Sequence, residues 1–280
     1  MAPQADSSGF VAAASTMEGR ILHVDPSGQL YAGRASDVLV SSDDGATWSE
    51  LIRLPNSRLR GMAEPWRLVR RLLRYEARAL AKLSGSRYVI SNREGVFFGA
   101  ATDDEARRSK IHPSGLVPRL PMRLCLGPDD RVLFGEYFGN VERREVLVYV
   151  SDDAGEHFEV AHVFPCGEVR HVHNVIWDEV EDHYWVMAGD YGEEPGIGRL
   201  SRDLRNFEWA VRGRQNCRVV ACIDLGDYFL YGTDTEVATN YIVRFEKATG
   251  KIEPLLEIEG SCLHACRFGS IFAFSTTVEP

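Results

Sequence analysis

The sequence has no apolar run near the roughly 18 residues of a membrane span, no excess of positive charge and no dense set of cysteines. Lysine and arginine number 32 against 41 aspartate and glutamate, a formal net charge of -9. General nucleic-acid binding needs a phosphate-neutralising basic surface, so that class is excluded. The first residues carry neither the basic flank nor the apolar stretch of a secretory signal. Six cysteines (Cys125, Cys166, Cys217, Cys222, Cys262, Cys266) show no disulfide-framework spacing. These absences lead to the expectation of a cytoplasmic protein with reduced, largely buried thiols and no transmembrane segment.

What is present is a repeat. Ser41-Ser42-Asp43-Asp44-Gly45-Ala46-Thr47-Trp48 follows the pattern S-x-D-x-G-x-T-W. Ser151 to Phe158 follows it again, with His157 for the threonine and Phe158 for the tryptophan. Weaker copies begin at Ser201 and Thr102, and a hairpin turn runs from Glu246 to Lys251. Successive starts at 102, 151, 201 and 246 lie 49, 50 and 45 residues apart. That spacing suits four-stranded propeller blades. Glycine serves the turn because φ is positive there, and the aspartate can accept from turn amides that no ladder satisfies. Trp48 and Phe158 are expected to bury their rings between sheets.

Paired apolar runs precede each turn, as in Ile21–Val24 with Gln29–Ala32 and Val219–Cys222 with Tyr228–Tyr231. Each repeat therefore reads as strands A, B, C and D, with the box joining C to D. The expected fold is an all-β propeller in one domain, residues 1–280, of six blades. The last blade is short of a strand, and residues 10–15 are available as an outer one. The longer interval from 41 to 102 is attributed to a helical insertion at 64–83, where Leu68, Val69, Leu72, Leu73, Leu80 and Leu83 recur at helical spacing. Arg67, Arg70, Arg71, Arg74, Arg78 and Lys82 make that segment basic, a candidate surface for an anionic partner.

The boxes resemble those of bacterial neuraminidases (sialidases) and related BNR-repeat proteins. Phe134 to Asn140 and Arg170 to Asn174 look like a group of bacterial Asp-box proteins labelled glycosyl hydrolases. The resemblance implies a propeller and carbohydrate chemistry. It does not imply sialidase activity: Arg20-Ile21-Leu22 lacks the proline of the sialidase Arg-Ile-Pro segment, and no arginine triad can be assigned.

In a propeller the A strands line the channel, and the ends of the B strands meet the starts of the A strands on one face. Aligning those positions makes Glu136, Tyr137 and Asp190 candidates for catalysis. Arg34, Arg93, Arg123, Arg218 and Asp234 are candidates for substrate binding. Glu136 and Asp190 could act as a carboxylate pair on a glycoside. His171 and His173 alternate on a strand and could hold a divalent metal, with Glu136 or Asp190 as oxygen ligand. Cys262, His264 and Cys266 also share a strand face, where a buried apolar surface is the plainer explanation. The expected function is a carbohydrate-active or carbohydrate-binding propeller with its site at the channel mouth. Two alternatives stay open: a non-catalytic interaction scaffold, and a metal-dependent lyase or isomerase built on the histidine pair.

Overall fold

The computed structural model describes residues 19–55, 76–112 and 121–277. They form an all-β propeller with five four-stranded blades. The first blade is β1 (Arg20–Val24), β2 (Leu30–Arg34), β3 (Asp37–Ser41) and β4 (Ser49–Arg53). The second is β5 (Ala79–Lys82), β6 (Arg87–Asn92), β7 (Gly95–Ala100) and β8 (Arg107–Arg108). After it, β9 (Lys110–Ile111) leaves its own blade and adds in parallel to the outer edge of the third. That third blade is β10 (Cys125–Leu126), β11 (Val132–Gly135), β12 (Val146–Ser151) and β13 (His157–Phe164). Covering the β13 edge removes a row of unpaired backbone groups.

The fourth blade is β14 (Val172–Asp178), β15 (His183–Ala188), β16 (Gly196–Ser201) and β17 (Phe207–Arg212). The fifth is β18 (Val219–Asp224), β19 (Tyr228–Thr233), β20 (Asn240–Glu246) and β21 (Lys251–Ile258). Within each blade consecutive strands pair antiparallel. First strands of successive sheets touch one another, so they form the inner wall.

Each pair of neighbouring blades shares its own apolar layer. Tyr31, Val38 and Ile52 meet Leu80, Tyr88 and Phe97 between blades one and two. Phe158 is fully buried among Val89, Phe98, Phe134 and Tyr149 between blades two and three. Tyr184 and Val186 meet Leu133 and Phe164 next, and Trp185 meets Phe229 and Phe245 after that. The alternating strand pattern puts one set of side chains on each blade face, so every blade between two others belongs to two such layers.

The box turns form as their residues require. Asp43 Oδ1 accepts from Thr47 N at 2.9 Å and from Ser41 Oγ at 2.7 Å, while Gly45 N donates to Ser41 Oγ at 3.0 Å. In the second box His157 replaces the threonine donor, with Nδ1 2.7 Å from Asp153 Oδ2. Gly45 and Gly155 have φ of 85° and 89°.

The structure corrects three expectations. In place of a sixth four-stranded blade, the described residues form a two-stranded sheet, β22 (Cys262–Phe268) with β23 (Ile271–Thr276). The outer strand expected at 10–15 lies outside the described residues. The helix expected over 64–83 does not reach its end: Ala79–Lys82 is strand β5, paired with β6. A short apolar run does not separate strand from helix, and here the partner strand decides. Residues 64–75, with Arg67, Arg70, Arg71 and Arg74, lie outside the described residues, and Lys82 instead pairs with Asp25 at 2.6 Å. Finally, Phe158 is buried but Trp48 is only half-buried, its Nε1 donating to Gly45 O at 3.0 Å.

Candidate functional site

Strand β14 supplies His173 to the inner wall, and His171 stands just before it. Val172 pairs with Ala188 and Asn174 with Met187, so His173 is the extra residue of a bulge. A bulge re-aims a side chain, and here it brings the His173 Nε2 to 2.9 Å from the His171 Nε2. Asp190 comes from the turn after β15. Gly189 precedes it with φ of 83°, and its N–H donates to His171 O at 3.0 Å. A Cβ at 189 would run into the Glu194 backbone, so glycine is needed both for the φ and for the space.

The donor atoms converge. His173 Nε2 lies 3.0 Å from Asp190 Oδ1, and His171 Nε2 lies 3.1 Å from Asp190 Oδ2. All three residues are buried. Each histidine turns its other nitrogen to a backbone carbonyl: His171 Nδ1 to Phe138 O at 3.1 Å, His173 Nδ1 to Val219 O at 3.2 Å. A carbonyl only accepts, so each Nδ1 carries the hydrogen and each Nε2 of a neutral ring is a bare acceptor.

Burial lowers the His173 pKa, against the opposing pull of Asp190, so its neutral form is favoured. Burial alone would raise the Asp190 carboxyl; hydrogen bonds and charge from the His171 and His173 rings pull it far below the usual carboxylate range, an effect that requires a proton on the facing Nε2 atoms. Two bare nitrogens and a carboxylate thus face one another in a buried space. Such a group repels itself unless a cation, a proton or a metal ion, sits among them. Ring nitrogens locked by carbonyls on the far side are the usual second layer of a metal site. Among the described residues this is the one trio of metal-ligating side chains whose donor atoms lie within 4.8 Å of one another.

Around the trio, Tyr137 lays its ring 4.2 Å from that of His171. Burial, then Asp190 and Asp234, raises its phenol pKa. Arg218 is buried with Nε 3.1 Å from Asp190 Oδ1 and 3.6 Å from Asp234 Oδ2, and Nη1 donates to Glu236 Oε2 at 2.6 Å. Burial works against its charge, but these three carboxylates outweigh it and raise its pKa. Gln215 Nε2 fixes the Asp190 backbone oxygen at 3.0 Å.

The structure therefore brings together His171, His173, Asp190, Tyr137, Arg218 and Asp234. It leaves Glu136 outside the trio. Glu136 is buried, and its Oε2 accepts from Leu147 N at 3.0 Å, with Tyr149 Oη 3.5 Å from Oε1. Those partners belong to its own blade, so of the two carboxylates considered it is Asp190 that stands beside the histidines. Arg34 and Arg93 are exposed at the ends of β2 and β6. Arg123 crosses to the last sheet, donating to Leu263 O at 3.0 Å. His264 is exposed on β22. Two further residues, Tyr191 and Glu236, join the site without a motif to announce them. The Tyr191 hydroxyl donates to Glu236, and the Arg170 and Arg218 guanidinium groups stand 5.0 and 5.3 Å from its ring centroid. Their closeness in sequence to Asp190 and Asp234 is the one signal that points to them.

No known sequence family matches the chain, and no curated protein sequence does. Solved structures do match. A gluconolactonase from Xanthomonas campestris superposes with a TM-score of 0.61 at 13% identity, over 92% of this chain and 82% of that one. Regucalcin from Agrobacterium tumefaciens, described as a calcium-binding protein, gives 0.56 at 11%, over 87% and 75%. An ancestral GH74 enzyme gives 0.55 at 12%, over 86% of this chain and 33% of that one. These likenesses show a propeller fold and nothing finer.

Proposed function

We propose that this protein is a metal-dependent enzyme acting on a small, oxygen-rich molecule of the carbohydrate type at the mouth of its propeller channel. The observation that carries the proposal is the convergence of His171 Nε2, His173 Nε2 and the Asp190 carboxylate, with both Nδ1 atoms committed to carbonyls. A divalent cation there satisfies all three donors at once. It supplies Lewis-acid polarisation of a bound carbonyl or hydroxyl oxygen. Arg218 holds Asp190 from behind, and Tyr137 walls the histidines.

Metal-assisted lyase, isomerase or lactone-cleaving chemistry suits such a centre. Glycoside cleavage by a carboxylate pair suits it less, because Glu136 is engaged by its own blade. The fold is shared with a gluconolactonase and a GH74 enzyme, which makes sugar-derived ligands a fitting class by analogy.

The test is metal analysis of protein purified without added metal. One equivalent of a divalent ion per chain is expected at neutral pH. His171→Ala and Asp190→Asn should lose it while far-UV circular dichroism is unchanged. Protein without stoichiometric metal that also binds none on titration would end the proposal.

A further inference from the structure

Arginines partly or wholly withdrawn from solvent need a counter-charge. Arg131, Arg143, Arg170, Arg199, Arg212 and Arg218 each have one, a carboxylate oxygen at 2.6 to 3.5 Å. Arg123 does not. It stands just before β10, is half-buried, and makes one hydrogen bond, from Nη2 to Leu263 O on β22 at 3.0 Å. Among the described residues no carboxylate pairs with it.

Its surroundings add positive charge rather than remove it. Burial lowers the Arg123 pKa, and the Arg20 charge lowers it further. The acidic groups that act the other way are the thiols of Cys222 and Cys262. Burial keeps both protonated, pushing Cys222 up to about 12 and raising Cys262. On His264, burial and then the charges of Arg123 and Arg20 oppose a proton. Three basic groups, from β1, from the entry to β10 and from β22, thus share one stretch of the inner wall.

We infer that this stretch of the channel binds the oxyanion of a small ligand, a carboxylate or phosphate group, with Arg123 holding it and Arg20 and His264 beside it. A guanidinium keeps its charge in such a setting, and its planar fork matches the edge of either group. The bond to Leu263 O aims that fork without neutralising it. Arg20 and His264 are exposed, which leaves a way in for the ligand. Neutral His264 can donate from whichever ring nitrogen carries its hydrogen. The metal trio offers no substitute cation, because Arg218 is already matched by Asp190, Asp234 and Glu236. The inference goes beyond the metal reading and does not need it.

The experiment measures binding of inorganic phosphate and of acetate to the full chain and to His171→Ala. Calorimetry and unfolding midpoints are read against sodium chloride at matched ionic strength. One equivalent of anion should bind both proteins, and at about ten times the dissociation constant the midpoint should rise by about 2–4 °C. Arg123→Met should weaken binding at least about tenfold, Arg123→Lys and Arg20→Gln less so. Preference for phosphate or for acetate supports the site in either case and names the group it takes. Should Arg123→Met fail to fold, weakened binding in Arg123→Lys and Arg20→Gln carries the test. Binding no stronger than that of chloride, or binding that none of the three substitutions weakens, overturns the site and leaves the metal reading as it was. Binding lost in His171→Ala would put the anion on the metal and overturn the channel site alone. An Arg123→Met midpoint lowered equally with and without phosphate would reduce Arg123 to a tie between β10 and β22.

Discussion

The Nε2 atoms of His171 and His173 stand 2.9 Å apart, and each ring points its Nδ1 at a different strand's or loop's carbonyl. Neither ring can turn its hydrogen toward the other without giving up a carbonyl. The pair is arranged to share a cation.

Metal affinity should therefore depend on pH with a defined sign. A proton on either Nε2 competes with the ion. His173 is biased toward its neutral form by burial. Asp190 stays ionised far below the ordinary range, so it takes up no proton in the window. Affinity should be flat where His173 is neutral and fall once the pH is low enough to protonate it, below the ordinary histidine range, with proton uptake accompanying metal release. Isothermal titration across pH checks this, and affinity rising as pH falls would contradict the geometry.

Gly189→Ala tests how Asp190 is delivered. The residue has φ of 83° and its Cβ would meet the Glu194 backbone. Strain of this kind costs about 1–3 kcal/mol. The expected result is a lowered unfolding midpoint together with at least about tenfold weaker metal binding, because the carboxylate is displaced. Unchanged affinity would mean that Asp190 is not a ligand.

That glycine also explains where the sequence stops being legible. The box turns are readable because their hydrogen bonds close within a few residues, as from Thr47 to Asp43. The register of strand B makes Glu136 and Asp190 look equivalent, since each follows a glycine. They are not equivalent. Glu136 N continues the ladder by donating to Leu147 O at 2.9 Å, and its carboxylate returns to the same strand. At Gly189 the positive φ breaks the run and delivers Asp190 to the histidines. A backbone reversal of that sort has no signature beyond a glycine, and both sites have one. The bulge at His173 is likewise a matter of pairing across strands. Strand β5 is hidden in the sequence because Leu80 and Leu83 continue a leucine spacing begun upstream, whereas pairing with β6 is long-range information.

The two complete boxes should differ in stability contribution. Phe158 is fully buried among residues of blades two and three, and Phe158→Ala should cost about 3–5 kcal/mol. Trp48 is half-buried, and Trp48→Ala should cost clearly less. Urea midpoints of the two variants give the comparison. Equal losses would mean that Trp48 is covered in solution to the same degree.

The last prediction concerns the face opposite the site. Lys247 Nζ is buried between Asp178 Oδ2 at 2.6 Å and Asp224 Oδ1 at 2.8 Å, and Trp185 Nε1 donates to Asp178 Oδ2 at 2.9 Å. This group ties blade four to blade five beside their shared apolar layer. Burial would raise the Asp178 pKa, but Lys247 and Trp185 hold it below the ordinary value. A depressed carboxylate contributes stability that is present above its unfolded pKa, about 3.9, and is lost as pH falls through the lower folded value. Lys247→Met should therefore destabilise by about 3–5 kcal/mol at neutral pH, because it leaves the Asp178 charge buried without its cation. Adding Asp178→Asn to that variant should recover part of the loss, since no bare charge remains. Lowering the pH toward about 4 should also narrow the gap between Lys247→Met and the parent, because Asp178 protonates in the variant while the parent, whose Asp178 titrates lower, keeps its ion pair. Urea unfolding at neutral pH and near pH 4 separates these effects. A penalty for Lys247→Met that stays constant across pH, with no recovery in the double variant, would place its origin in lost packing of the lysine stem on Phe229, whose ring centroid lies 4.5 Å from Nζ.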